Sequence, residues 1–151
     1  MKLTADISVS TPVGASLDNS FQGTFDGDGH TLTFNKSGWT ERFIAPFRYV
    51  GGTCTIKNLR TAGTIQSSGM YATGLIAGTK DGSIITVENC ISSMNLNSIG
   101  SGDLTNTGFV GRIENVTLNI RGSVFNGSFA GGSRNEERGS FAIEIMAEHE
   151  K

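Results

Sequence analysis

The stretch Ile56-Lys-Asn-Leu-Arg-Thr-Ala-Gly-Thr-Ile65 decides the fold, because its spacing of apolar and small residues returns twice along the chain. The first copy places Ile56 at its start, Asn58 third, Gly63 eighth and Ile65 tenth. The second places Val87, Asn89, Met94 and Leu96 at the same offsets, and the third Ile120, Gly122, Gly127 and Phe129. The starts Ile56, Val87 and Ile120 lie 31 and 33 residues apart. A period in this range marks a stacked-repeat architecture, in which no unit buries its own apolar face and each leans on its neighbours.

A second signal precedes each copy: an apolar pair bracketed by small residues, in Gly74-Leu-Ile-Ala77, Gly108-Phe-Val-Gly111 and the degenerate Ala45-Pro-Phe-Arg48. Gly139-Ser-Phe-Ala142 is placed to begin one more. Each pair is too short for a helix and suits a buried strand between tight bends, so the unit reads as strand, turn, strand, turn. Helical repeats of this length need apolar residues at i, i+3, i+4 and i+7, which no stretch before the last dozen residues supplies. The chain also carries 21 glycines, and each would cost about 1 kcal/mol inside a helix. Stacked β-rungs remain: an all-β solenoid of about five rungs in a single domain over residues 1–151. Residues 1–20 read as an N-terminal cap or incomplete first rung. Residues 133–151 read as a last strand and cap whose charges blunt an open sheet edge. The common offset of Asn58 and Asn89 predicts two amides stacked at one bend, each hydrogen-bonded.

Composition narrows the partners. Only 17% of residues are charged and the formal net charge is −2, so there is neither a basic footprint for nucleic acid nor a polybasic patch for a membrane surface. No apolar run approaches the roughly 18 residues of a membrane span. The opening Met1-Lys-Leu-Thr-Ala-Asp6 lacks the apolar region of a signal peptide. Cys54 lies two residues before Ile56 and Cys90 three after Val87. That mismatch argues for two free buried thiols rather than a bridge between rungs.

The run Gly23-Thr-Phe-Asp-Gly-Asp-Gly-His-Thr-Leu32, followed by Ile56-Lys-Asn-Leu59, Gly74-Leu-Ile-Ala-Gly78 and Val87-Glu-Asn-Cys90, resembles the bacterial surface proteins that carry GLUG repeats. The likeness covers roughly residues 3 to 130. It implies a right-handed parallel β-helix in a secreted or cell-surface protein, in company with adhesin or protease-like modules. The chain departs from the pattern at Ala45, where the first Gly is lost, and at Gly122, where the Asn is lost.

Few groupings carry chemistry. Asp26, Asp28 and His30 alternate as metal ligands do, but Gly27 and Gly29 make the segment a bend, and the twelfth place of a calcium loop counted from Asp26 holds Ser37 instead of Glu. No metal or cofactor is expected. Glu88 and Glu114 are isolated in strands, His149 lies in the tail, and with His30 the only other histidine no triad is spaced for catalysis. Gly51-Gly52 and Gly131-Gly132 lack the Lys-Ser/Thr of a phosphate loop. Trp39, Tyr49 and Tyr71 are the candidate ligand-binding residues, as flat rings for stacking on sugars. Trp39 falls in the polar loop 35–43, and a second polar loop at 97–107 belongs to the same face of the solenoid. Ice binding needs a flat threonine array, and Thr31/Thr33 and Thr53/Thr55 are only two such pairs. The expected function is therefore non-enzymatic: a cell-surface or secreted adhesin or spacer that takes a glycan or a surface protein as partner. The alternative, a carbohydrate-active enzyme, requires two carboxylates held across one groove.

Overall fold

The short apolar runs form strand after strand, and their small neighbours form the bends between them. The computed structural model describes residues 1–100, 104–131, 136–139 and 142–146, with no helix among them. Its parallel sheets wind into a β-solenoid of about three turns. No helix among the described residues is long and apolar enough to cross a membrane. The strands run β1 (Ile7–Val9), β2 (Phe21–Asp26), β3 (Thr31–Phe34), β4 (Lys36–Trp39), β5 (Phe47–Lys57), β6 (Arg60–Ser67), β7 (Ala72–Thr73), β8 (Ile76–Thr79) and β9 (Ile84–Glu88). They continue as β10 (Ile91–Ser98), β11 (Leu104–Thr107), β12 (Val110–Glu114), β13 (Thr117–Arg121), β14 (Val124–Phe125), β15 (Ser128–Gly131), β16 (Glu136–Gly139) and β17 (Ala142–Met146).

One sheet stacks β1, β3, β6, β10 and β14, with β4 on β6 and β15 on β10. A second is centred on β5, whose first half pairs with β8 and whose second half pairs with β9. Onto these stack β12 and β17 on one side and β13 on the other, while β2 covers the opposite edge of β5. A third, short sheet of β7, β11 and β16 lies beyond the two-strand unit expected from sequence. Its members are very brief, as in Ala72-Thr73, or mostly polar, as in Leu104-Thr-Asn-Thr107, so periodicity does not reveal them.

The repeat is the register. Phe25, Ile56, Val87 and Ile120 pair in one column, and Ile65, Leu96 and Phe129 in another. All are buried except Ile120 and Phe129, which are partly buried against the same core. The apolar pairs align likewise, Phe47 on Ile76 and Ile76 on Val110, and Ala142 continues onto Val110. Cys54 and Cys90 are buried and free. Burial alone pushes the Cys54 thiol up to about 12 and is the main cause raising Cys90 to about 11.

At the corner after this column, Asn58 (φ 53°), Asn89 (φ 53°) and Gly122 (φ 56°) share one left-handed conformation. Asn and Gly both tolerate it where most residues do not, so Gly122 keeps the bend although the Asn is gone. The expected stack of hydrogen-bonded amides is not what the corner holds. Asn58 Nδ2 donates to Asp26 Oδ1 at 3.2 Å, but the Asn89 side chain is exposed. Conformation, not a buried amide, selects the residue. Asn89→Leu is expected to cost about 1–2 kcal/mol and Asn89→Gly within about 1 kcal/mol of the parent. Urea denaturation of both checks this; equal losses would restore the amide as the cause.

Beside that corner the paired positions Lys2, Asp26, Lys57, Glu88 and Arg121 alternate in charge from one strand to the next. Exposed ion pairs of this kind, such as Arg121 Nε to Glu88 Oε2 at 3.8 Å, add little energy. Their arrangement selects register, because sliding the stack by one rung sets like charge on like.

The two ends of the polar stretch 97–107 belong to strands rather than to a loop. Asn97 and Ser98 end β10, while Asn106 and Thr107 are buried in β11; residues 101–103 lie outside the described residues. Asn106 Nδ2 donates to the Ser98 hydroxyl, its Oδ1 accepts from Ala72 N at 3.3 Å, and Thr107 Oγ1 donates to the Val110 carbonyl at 2.7 Å. Satisfied polar groups are stable in an interior, which is why Ser98, Asn106 and Thr107, which look like surface by composition, lie inside. At the C-terminal end the backbone forms β17 where the alternation of Ile143 and Ile145 predicts a last strand, and also β16, which the sequence reading did not foresee. His149 and residues 132–135 lie outside the described residues.

Candidate functional site: an aromatic-floored groove

The segment after β4 turns sharply at Phe43, which like Tyr71 holds a left-handed backbone (φ 65° and 64°). Bulky residues rarely adopt it, and it persists where surrounding packing over-determines it. Here the packing is mutual: the two rings stack at 4.7 Å with planes 14° apart, and Phe43 N donates to the Met70 carbonyl at 2.8 Å. Tyr49 follows at 5.4 Å from Phe43. Two arginines hold the cluster. Arg48 Cζ lies 4.9 Å from the Trp39 ring and 5.3 Å from Tyr49, and its guanidinium donates to the carbonyls of Phe43 (2.8 Å) and Arg42 (3.2 Å) and to Glu41 (3.2 Å). Arg42 Cζ lies 5.2 Å from Tyr71 and 5.5 Å from Phe43. Such contacts attract through the ring quadrupole and fix ring planes.

The three expected ligand-binding residues thus meet in one aromatic and cationic cluster, but with different fates. Tyr71 is 1% exposed and acts as packing. Trp39 is not in a loop; it ends β4, pairs with Ser67 of β6 and packs partly buried against the core. Its indole Nε1 is buried with no hydrogen-bond partner among the described residues. Polar composition hid this strand, since Lys36, Ser37 and Gly38 show no apolar alternation and Gly38 takes φ 67°. Tyr49 alone borders an open space, a groove of about 420 Å³.

Four stretches far apart in sequence build that groove. Tyr49 and Phe43 lie over Gly78, where a Cβ would sit 2.8 Å from Tyr49 Cδ1 and 3.1 Å from Phe43 Cδ1, so only glycine lets the rings settle on β8. Leu17 and Asp18 come from the N-terminal segment, Lys80 and Asp81 from the bend after β8, and Arg112 and Glu114 from β12. Arg112 Nη2 pairs with Glu114 Oε1 at 3.2 Å. A volume of this size suits one or two rings of a ligand, with Leu17, Phe43 and Tyr49 for apolar contact and the charged side chains around them for orientation. Sequence reading missed Phe43, Gly78, Asp18, Lys80 and Asp81. Their only local signal is the glycine after Leu75-Ile-Ala77, which says nothing of a tyrosine from the turn before.

Other expectations resolve plainly. Asp26 serves its bend: Oδ1 accepts from Asp28 N at 2.9 Å and from Asn58, and these bonds hold the carboxyl below the usual carboxylate range, the Asp28 bond most. His30 Nδ1 lies 3.4 Å from Asp6 Oδ1. Among the described residues no group of three or more His, Cys, Asp or Glu is arranged to hold a metal. Glu88 faces outward beside Arg121, whereas Glu114, which reads as isolated in the sequence, shares the groove with Asp18 and Asp81.

Fold and groove together define a β-solenoid with a lateral, aromatic-floored cleft. No family model matches the chain, and no curated protein or solved structure matches it.

Proposed function

We propose that this protein is a non-enzymatic binding and spacer module of a secreted or cell-surface protein, a right-handed parallel β-helix of about five rungs once the partial first and last turns are counted. Its ligand is a glycan. The observation that supports the reading is the floor of Tyr49 and Phe43 packed on Gly78 and held by Arg48 and Tyr71, in a groove also lined by Asp18, Lys80, Asp81, Arg112 and Glu114. A ring fixed before the ligand arrives loses little entropy on binding. The likeness to GLUG-repeat surface proteins points the same way for location. Retention of the purified chain on immobilised glycans tests it. Tyr49→Ala is expected to weaken retention about tenfold or more, an effect worth about 1.4 kcal/mol, while Trp39→Phe leaves it unchanged. Retention indifferent to Tyr49 would remove the groove.

The carbohydrate-active enzyme remains the second reading, because Asp18, Asp81 and Glu114 line the same groove. Hydrolysis or elimination needs a positioned acid and base. Release of reducing or unsaturated ends, abolished by Asp81→Asn or Glu114→Gln, would favour that reading over the first.

A further inference from the structure

The outer face of β2, β5, β9 and β13 carries a feature that neither the groove nor the proposed glycan site uses. Register stacks Thr24 on Thr55 and Thr55 on Thr86, with Asn119 next in the column. Two residues along each strand a second column holds Thr53, Ile84 and Thr117. The two ladders joining β5, β9 and β13 keep one register without a bulge; the irregularity lies at the margin, between Phe21 and Gly23. In the sequence the pairs Thr31/Thr33 and Thr53/Thr55 stand out. The first leads nowhere, since Thr31 and Thr33 pair with Arg60 and Ala62. The second turns out to be the centre of an array.

Three properties set this face apart. Thr24, Thr53 and Thr117 are exposed, Thr55 and Thr86 half-exposed, and Ile84 is 48% exposed. Among the described residues none of the five threonine hydroxyls has a hydrogen-bond partner. On the sheet of β6, β10 and β15, by contrast, outward polar groups bond one another across rungs: Ser128 Oγ donates to Asn95 Oδ1 at 2.7 Å, Ser93 Oγ to Asn126 Oδ1, and Thr64 N to Asn35 Oδ1 at 2.9 Å. Both threonine columns are free of charge, the charged column of Asp26, Lys57, Glu88 and Arg121 forming their border.

We infer that this threonine face binds ice. Stacked parallel strands fix a grid of about 4.8 Å between rungs and about 6.6 Å between alternate residues of one strand. Threonine is stiff about χ1, so each point of the grid carries a methyl and a hydroxyl in a set orientation with little entropy left to lose. An ice surface is the matching counterpart: uncharged, rigid, repetitive, and able to donate and accept at every oxygen. A soluble partner would be held by a few strong contacts, and charge or aromatic anchors would mark the face; the two columns have neither. Free hydroxyls satisfy the lattice while the methyls and Ile84 shed loosely held water.

The test uses the full chain, frozen slowly onto an ice surface from dilute solution beside serum albumin, with ice recrystallisation followed in parallel. The chain is expected to enter the ice at about tenfold the albumin level or more and to slow crystal growth. Thr55→Lys and Thr86→Lys, each checked for parent-like circular dichroism and melting, are expected to lose about tenfold, the equivalent of about 1.4 kcal/mol. Thr64→Lys, which puts the same charge on an exposed position of β6, is expected to enter ice as the parent does, which separates this face from the effect of added charge alone. Exclusion of the parent from ice to the same extent as albumin overturns the inference, as do lysine variants that act like the parent. Should the lysine variants fail to fold, the double change Thr55→Ser and Thr86→Ser removes the methyls and keeps the hydroxyls. Loss of ice uptake supports the inference, and full uptake overturns it.

Discussion

Val87→Asp is expected to unfold the protein at neutral pH, or to remove about 4 kcal/mol of stability if folding survives. Val87 is fully buried and stands in the middle of its column, with Ile56 on one side and Ile120 on the other. The introduced carboxylate has no cation within the apolar core to pair with, and an uncompensated buried charge is among the costliest substitutions. The sign with pH follows. Burial raises the carboxyl's folded-state pKa above its unfolded value of about 3.9. The variant is therefore least destabilised below that value and loses ground as pH rises through the raised one. Urea midpoints at pH 4 and pH 7 measure this, with the larger gap from the parent expected at pH 7. A variant that melts with the parent at pH 7 would show that the column does not face inward.

Gly63→Ala is the second large effect, expected to cost about 3 kcal/mol. Gly63 lies in the interior of β6 at φ 116°, outside the range any side chain adopts comfortably. A Cβ there would be driven into the carbonyl group of Phe34, in the rung below. Neither partner can yield: the Phe34 side chain is fully buried and β6 is paired on both sides. Gly82→Ala is the control. Gly82 has φ 79° but nothing within 4 Å of an added Cβ, so it bears only the conformational penalty, about 1–2 kcal/mol. Thermal melts of the two separate close approach between rungs from backbone strain. Equal losses would mean that the contact with Phe34 adds nothing.

Stacking was legible because a solenoid writes its register into its period. Side chains paired across parallel strands must agree in size and polarity, so Ile56, Val87 and Ile120 betray one another at fixed spacing. The bends are legible by position, since Asn58, Asn89 and Gly122 recur at one offset, whereas their shared positive φ, in place of the expected amide stack, emerges only in the structure. Trp39 shows where this fails. A polar, glycine-containing strand on a sheet edge carries no alternation, and pairing with β6 decides its conformation. The stretch around Asn106 fails in the opposite sense, because buried hydrogen-bond partners from Ser98 and Ala72 make polar residues acceptable inside.

By itself, then, the sequence determined a stack of β-rungs, which residues face the core of each rung, and where the bends that join them fall, because these depend on repetition within one chain. Only the tertiary structure decided what the outer surface holds. Winding sets residues about thirty positions apart at neighbouring points, so that Tyr49 comes to lie on Gly78, Asp18 joins Asp81 and Glu114, and Thr24, Thr55 and Thr86 fall into one line. Outward side chains have no core to satisfy, and nothing in the period constrains them. Their meaning comes from who stands on the rung above and below.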